Sequence, residues 1–381
     1  MTTLAPVISG ADVLICCGSG GVGKTTTAAV IGLQAARHGR RVVVVTIDPA
    51  RRLADALGVA GGLTGEPQRI DTPDGDATTR SGGAGAEAVS DASGEGELWA
   101  MMLDTPAMFA KVIASHAGGP EQVARITENR FYRNIADALS GTQEYMASEA
   151  LHELHGDDRF DLVVVDTPPS RNALDFLDAP GVLARFLDHA VFKLMMAPTK
   201  TGLKVVSAIS QPVLRAVGRV VGSDVLTDAV AFFQAFAGME TGFRDRAREV
   251  TALLHADTTR FVVVTAPQHE SVAEATWFSD QLVDQGFAVS ATVVNRVQPD
   301  FGKPAAEPDA TPAGDDSMDV TDDRLTALVA NLDELRAIAA AQHAELAPIR
   351  ERVDRLVEVP LLSSDVHDLD GLHELGTHLF P

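Results

Sequence analysis

Cysteine is nearly absent from this chain. There are two in 381 residues, Cys16 and Cys17, next to each other. That excludes a disulfide framework and leaves no C-x-x-C pair for a metal or a redox couple. A reducing, cytoplasmic setting fits. Positive charge is also scarce: 31 Lys and Arg stand against 53 Asp and Glu, a formal net charge of −22. A long nucleic acid or an anionic membrane is therefore a poor partner. No uninterrupted apolar run reaches the ~20 residues of a membrane span, so direct membrane insertion is not expected. Residues 1–10 lack the basic-then-apolar order of a signal peptide. The histidines are scattered, none at zinc spacing to cysteine or acid. No internal repeat is visible.

What is present begins with a core. The composition is 45% hydrophobic and 22% charged, ample for a large interior, and the length suggests roughly two or three domains. The chain is organised around residues 13–27, where an apolar run enters a glycine-rich turn that opens into a helix near Gly23. Residues 18–25 satisfy G-x-x-x-x-G-K-[ST], the phosphate-binding loop. Gly20, Gly21, Val22, Gly23, Lys24, Thr25 and Thr26 would cradle phosphates with inward-curling backbone N–H groups, which glycine permits without Cβ clashes. Lys24 brings a point charge to the β and γ phosphates, Thr25 offers a hydroxyl to Mg²⁺, and the following helix aims its positive end at the nucleotide.

Strand and helix patterns then alternate. Residues 13–17 and 41–46 read as buried parallel strands flanking a crossover helix over 25–38. Further strands are expected at 98–103, 160–165, 261–265, 288–294 and 355–360. Residues 105–155 and 181–258 read as mainly helical. Two stretches, 62–97 and 299–323, are rich in small, acidic and proline residues and read as disordered insertions. Leu325, Leu328, Leu332, Leu335 and Ile338 recur at helical spacing and are assigned to core packing. The expected fold is α/β: a doubly wound, mainly parallel sheet of the P-loop NTPase type, formed by 1–180 and 259–381, with a helical insertion over 181–258.

Ligands of such sheets collect at the carboxyl ends of the strands. Those ends carry the phosphate loop, Asp48, Asp104, Asp166, Asn295 and Pro360. Asp166 follows four apolar residues, the Walker B pattern of a carboxylate that holds Mg²⁺ directly or through water. Asp48 fits a residue that orients a hydrolytic water or accepts its proton, and equally a helix cap or Asx turn. Asn295 carries the donor and acceptor needed for an adenine edge, or is simply a turn residue.

Taken in order, the GGVGKTT loop, Asp48-Pro49-Ala50, Asp166-Thr167-Pro168-Pro169 and a helical insertion before the strand at 261–265 resemble the arsenical-pump and tail-anchored-protein-targeting ATPases. The likeness covers most of the chain outside the two low-complexity stretches and is greatest to an actinobacterial branch. It implies an ATPase using ATP and Mg²⁺ at the interface of a dimer, with Asp48 and Lys24 catalytic, Thr25 and Asp166 on the metal, and Asn295 and Pro360 beside adenine. It also implies a protein or membrane-protein client, served by a methionine-rich groove in the helical insertion. The apolar residues there, Leu183 to Met239, are assigned mostly to core. Arsenite transport fits poorly, because that branch needs thiolate ligands.

Three departures stand out. Arg51 replaces the family's histidine after Asp48-Pro49-Ala50. Pro168, an extra proline, and Arg171, in place of glycine, stiffen the segment after Asp166. Ser19 occupies the position of a lysine that crosses the dimer to the partner's phosphates. Either this chain pairs with a paralogous subunit that has the lysine, or Ser19 is tolerated in a homodimer. The corresponding functions are an ATP-binding regulatory subunit with little activity of its own, or an ATPase coupled to a client.

Overall fold

A strand buried on both faces needs apolar side chains all along its length, and the valine-rich runs of this chain supply them. The computed structural model describes residues 2–48, 51–71, 96–130, 142–188, 228, 231–302 and 322–381. Its runs form an eight-stranded sheet. In chain order the strands are β1 (Val13–Gly18), β2 (Arg41–Thr46), β3 (Gln68–Ile70), β4 (Glu97–Met102), β5 (Leu162–Asp166), β6 (Thr259–Thr265), β7 (Val289–Val297) and β8 (Leu356–Pro360). Across the sheet the order is β3-β4-β2-β5-β1-β6-β7-β8. Every pairing is parallel except β3 with β4. From β1 the chain first builds one half of the sheet, then crosses to build the other from β6. The ends of β1 and its neighbours are therefore the switch point where such sheets bind ligands.

The helices are α1 (Ala5–Ser9), α2 (Lys24–Arg37), α3 (Arg52–Ala56), α4 (Thr105–His116), α5 (Pro120–Thr127), α6 (Thr142–His155), α7 (Ser170–Asp188), α8 (Glu240–Leu254), α9 (His269–Asp284), α10 (Asp322–Glu345), α11 (Ala347–Arg350) and α12 (Leu369–Leu379). Alternation along the strands divides them between two layers. Val42 and Val44 of β2 face α1, α2, α3 and α12. Val43 and Val45 face α6, α7, α8 and α9. Cys16 and Cys17 are fully buried on opposite faces of β1, as core residues should be. Burial raises both thiols, Cys17 to about 12.

A third cluster joins α4, α5 and α6 to residues 231–243, through Ile113, Ile126, Met146, Phe232, Met239 and Phe243. Of the apolar residues assigned to core in the helical insertion, Phe232 and Met239 are buried there, and Leu183, Phe233 and Phe236 pack against it. The candidates at 186–187 and 189–230 lie outside the described side chains. Among the described residues no helix is long and apolar enough to cross a membrane.

Four expectations need correction. The stripe on α10 is not core: Leu325, Leu328 and Ile338 are exposed, and Leu332 and Leu335 are only partly covered. The spacing is helical, but among the described residues no element lies over the outer half of α10. The low-complexity stretch starts later than residue 62, because Leu63 and Ile70 are buried and β3 pairs antiparallel with β4. Residues 72–95 and 303–321 lie outside the described residues. Strand β7 runs on through Asn295 and Arg296 rather than stopping at residue 294, with a register shift between Val294 and Val297. Asp104 caps α4, accepting from the Ala107 amide at 3.0 Å, rather than lining the cleft at the strand ends.

The close fit of α2 to the sheet depends on Gly32. A Cβ there would lie 2.4 Å from Val44 Cγ2. Gly32→Val is expected to destabilise the protein by about 2 kcal/mol or more through overpacking, read as a lowered urea midpoint with unchanged slope.

Candidate functional site

The phosphate loop is held by its surroundings on every side. Gly18 closes β1 at φ 145°, and a Cβ there would sit 2.0 Å from the Val264 carbonyl oxygen of β6. Gly23 caps α2 in the left-handed region, with a virtual Cβ 2.3 Å from Asn295 Nδ2. Only glycine satisfies both the close approach and the backbone angle. Asn295 Nδ2 donates to the Val22 carbonyl at 3.0 Å, and its Oδ1 accepts from the Arg296 amide. Asn295 is thus a brace for the loop. One amide hydrogen and one lone pair remain for a ligand.

Sheet register brings the acidic residue into place. Cys16 of β1 and Thr46 of β2 both stand level with Asp166 of β5. Asp166 Oδ2 accepts from Thr25 Oγ1 at 2.8 Å and from Thr46 Oγ1 at 2.9 Å. Oδ1 is buried and has no partner. Burial drives the Asp166 carboxyl up to about 6, against the hydrogen bonds from Thr25 and Thr46 and the charge of Lys24. A lone buried carboxylate oxygen beside a threonine hydroxyl fits a divalent cation that takes few protein ligands and keeps phosphate and water as the rest. Among the described residues no cluster of three or more His, Cys, Asp or Glu offers a fuller metal cage.

Lys24 is 8% exposed, and its Nζ donates to the Ser19 carbonyl at 2.7 Å. Burial lowers its pKa, against the pull of Asp166, Cys17 and Asp48. Ser19 is buried, and its Oγ has no partner. Asp48 lies just beyond β2. The Ile47 amide donates to the Asp166 carbonyl, and the Ile47 carbonyl accepts from Gln143 Nε2 of α6 at 3.0 Å. The N-cap position of α3 is Arg51. Pro49 and Ala50 lie outside the described residues.

These pieces line one cleft of about 420 Å³. Gly20, Gly21, Gly23, Lys24, Thr25, Thr26, Asp48, Asn295 and Pro360 all face it. Asp166 lies beneath it on Thr25, and Val22 is buried within the loop. The expected residues are therefore gathered at one place. A second cavity of about 300 Å³ lies beside Asp48, between Gln143, Glu144, Pro168, Pro169 and Phe176.

Residues 11–307 match the family model described as anion-transporting ATPase. The chain belongs to the anion-transporting ATPase family. It is 26% identical to the ATPase get3 of Aspergillus terreus over 283 residues, 74% of this chain and 71% of that one. It is 27% identical to the ATPase GET3 of Malassezia globosa over 285 residues, 74% and 72% of the two chains. As a family member it is an ATPase, and the cleft described here is its candidate nucleotide site.

Several residues of the cleft escaped sequence reasoning. Thr46 is the last residue of β2, and only the level register with β5 marks it. Arg52 and Asp55 of α3 and Arg296 of β7 also line the cleft. So do Leu361, Leu362, Asp365, Val366 and His367, which carry no local motif.

The raised Asp166 pKa has a measurable consequence. A carboxyl at about 6 in the fold against 3.8 as a free side chain binds its proton more tightly when folded. Its contribution to stability is complete below pH 3.8 and is lost as pH rises through 6. Without divalent cations, Asp166→Asn should therefore stabilise the protein at pH 7 by roughly 3 kcal/mol. The difference should close near pH 4. Urea titrations in chelator across that range check it, and a variant weaker than wild type at pH 7 contradicts it.

Proposed function

We propose that this ATPase is a cytoplasmic, Mg²⁺-dependent dimer that converts ATP hydrolysis into conformational change for a protein client. The observation that carries the reading is the buried, unpartnered Oδ1 of Asp166, set beside the Thr25 hydroxyl at the foot of the phosphate loop. Thr25 and Asp166 would hold Mg²⁺, which when bound offsets the charge of the β and γ phosphates.

The other roles follow from position. Backbone amides of the loop between Gly20 and Thr26 grip the phosphate oxygens. Lys24 leaves the Ser19 carbonyl to meet the terminal phosphates, exchanging a neutral acceptor for a charged one. Asp48, at the mouth of the cleft, orients the attacking water and accepts its proton. Transfer of the γ-phosphoryl group then depends on positioning and charge stabilisation more than on covalent chemistry. Asn295 and Pro360 flank the adenosine end. The dimer and the client, protein or membrane protein, follow from the resemblance in the motifs. The helical insertion, packed on α4–α6 through the third cluster, is the part that would meet the client.

A second reading is favoured by Ser19. Its side chain is short, uncharged and buried, so it supplies no cation to a partner's site. In that reading the chain is an ATP-binding regulatory subunit paired with a paralogous ATPase. Purifying the chain alone and measuring turnover separates the two. Robust ATPase in an isolated homodimer rejects the need for a lysine donor.

For the first reading, Lys24→Ala should abolish measurable turnover. Asp48→Asn should lower kcat by roughly 10²-fold or more while nucleotide affinity is largely kept. Steady-state phosphate release alongside equilibrium ADP titration reads both. Unchanged kcat in Asp48→Asn removes Asp48 from the chemistry.

A further inference from the structure

Arg296 is the single non-glycine residue with positive φ among the described residues, at 63°. It sits where β7 loses register with β8, between Val294 and Val297. A side chain in this left-handed conformation is strained, and such strain concentrates at ligand sites. Glycine would hold the same turn without strain. The brace on the Val22 carbonyl belongs to the neighbouring Asn295 and needs no arginine. The Arg296 side chain is exposed and lines the cleft, and its guanidinium donates to the Gly21 carbonyl at 3.2 Å.

That hydrogen bond locates the guanidinium. A phosphate-gripping loop turns its N–H groups inward, so a group held on one of its carbonyls lies outside the grip, away from the phosphates. The sheet order agrees. Asp48 and Asp166 end β2 and β5 on one side of β1, and Arg296 and Pro360 end β7 and β8 on the other. With the terminal phosphate toward the acids, the nucleoside extends toward β7 and β8. There the cleft is lined by Pro360, Leu361, Leu362 and Val366, with Ser364, Asp365 and His367 among them.

We infer that Arg296 grips the nucleoside half of the nucleotide, laying its planar guanidinium against a face of the base. The assignment rests on the cleft being an ATP site. A guanidinium tethered at one N–H keeps its flat face free, and arginine stacks on π-systems where lysine does not. A contact with the face of a base carries no information about its edge. Arg296 therefore sets affinity without choosing between purines.

The test uses the full chain and four probes: ATP, ADP, GTP and inorganic tripolyphosphate. Arg296→Gly should melt at or above wild type without nucleotide, because the backbone strain is relieved. It should bind ATP, ADP and GTP roughly five- to tenfold more weakly, with tripolyphosphate affinity unchanged. Arg296→Lys keeps the charge without the flat face and should resemble the glycine variant toward ATP. Equal weakening of ATP and tripolyphosphate would assign Arg296 to the phosphates and overturn the inference. So would unchanged ATP affinity in Arg296→Gly, or full rescue by lysine. If wild type binds neither ATP nor tripolyphosphate, the nucleotide reading of the cleft falls as well. If it binds both and only the variants disagree, the Arg296 assignment falls alone.

Discussion

Asp166 Oδ2 accepts two hydroxyl hydrogen bonds, from Thr25 at the start of α2 and from Thr46 at the end of β2. This one carboxylate oxygen ties three separate pieces of chain to a single point at the sheet's carboxyl edge. The arrangement needs β5 between β1 and β2, in the register that aligns Cys16, Asp166 and Thr46. A slip of one residue would turn the carboxylate to the other face. The buried valines on both faces make that slip expensive, so the apolar strands do more than fill a core. They fix where a charge sits that burial alone would disfavour.

The same edge is coupled to the helical side of the molecule through α6. Its Gln143 holds the Ile47 carbonyl just before Asp48. Two residues further on, Tyr145 donates to Glu149, which is 4% exposed and lies 3.8 Å from Arg246 of α8. Burial raises the Glu149 carboxyl, against the hydrogen bond from Tyr145 and the charge of Arg246. Met146 and Ala150 of α6 are meanwhile core residues of the third cluster. One rigid helix thus touches the candidate water-positioning strand at one end and packs with α4 and α8 along its length.

Much of this was legible in the sequence, and the reason is locality. The phosphate loop, the apolar run into Asp166 and the strand–helix alternation are encoded within a few residues, so pattern and spacing suffice. What was missed depends on partners far along the chain. Thr46 matters because of the 2.9 Å contact with Asp166, 120 positions away. The Leu361–His367 wall gains its place because β8 lies beside β7. The α10 stripe departs from its pattern for the opposite reason: amphipathic spacing reports a preference for cover and not its presence. From sequence, Asn295 reads as a turn residue or as a ligand reader. The strand extends through it, and one amide hydrogen braces the loop at the Val22 carbonyl.

The burial of Cys16 and Cys17 also bears on how the molecule can be handled. Both are at most 1% exposed, and the chain has no other cysteine. A thiolate is the species that reacts with maleimides, and these two side chains are both inaccessible and held protonated. The folded protein is thus a silent background for thiol chemistry. A cysteine introduced on the surface of α8 or α10 would take up a fluorophore or spin label alone, with the native pair left in place.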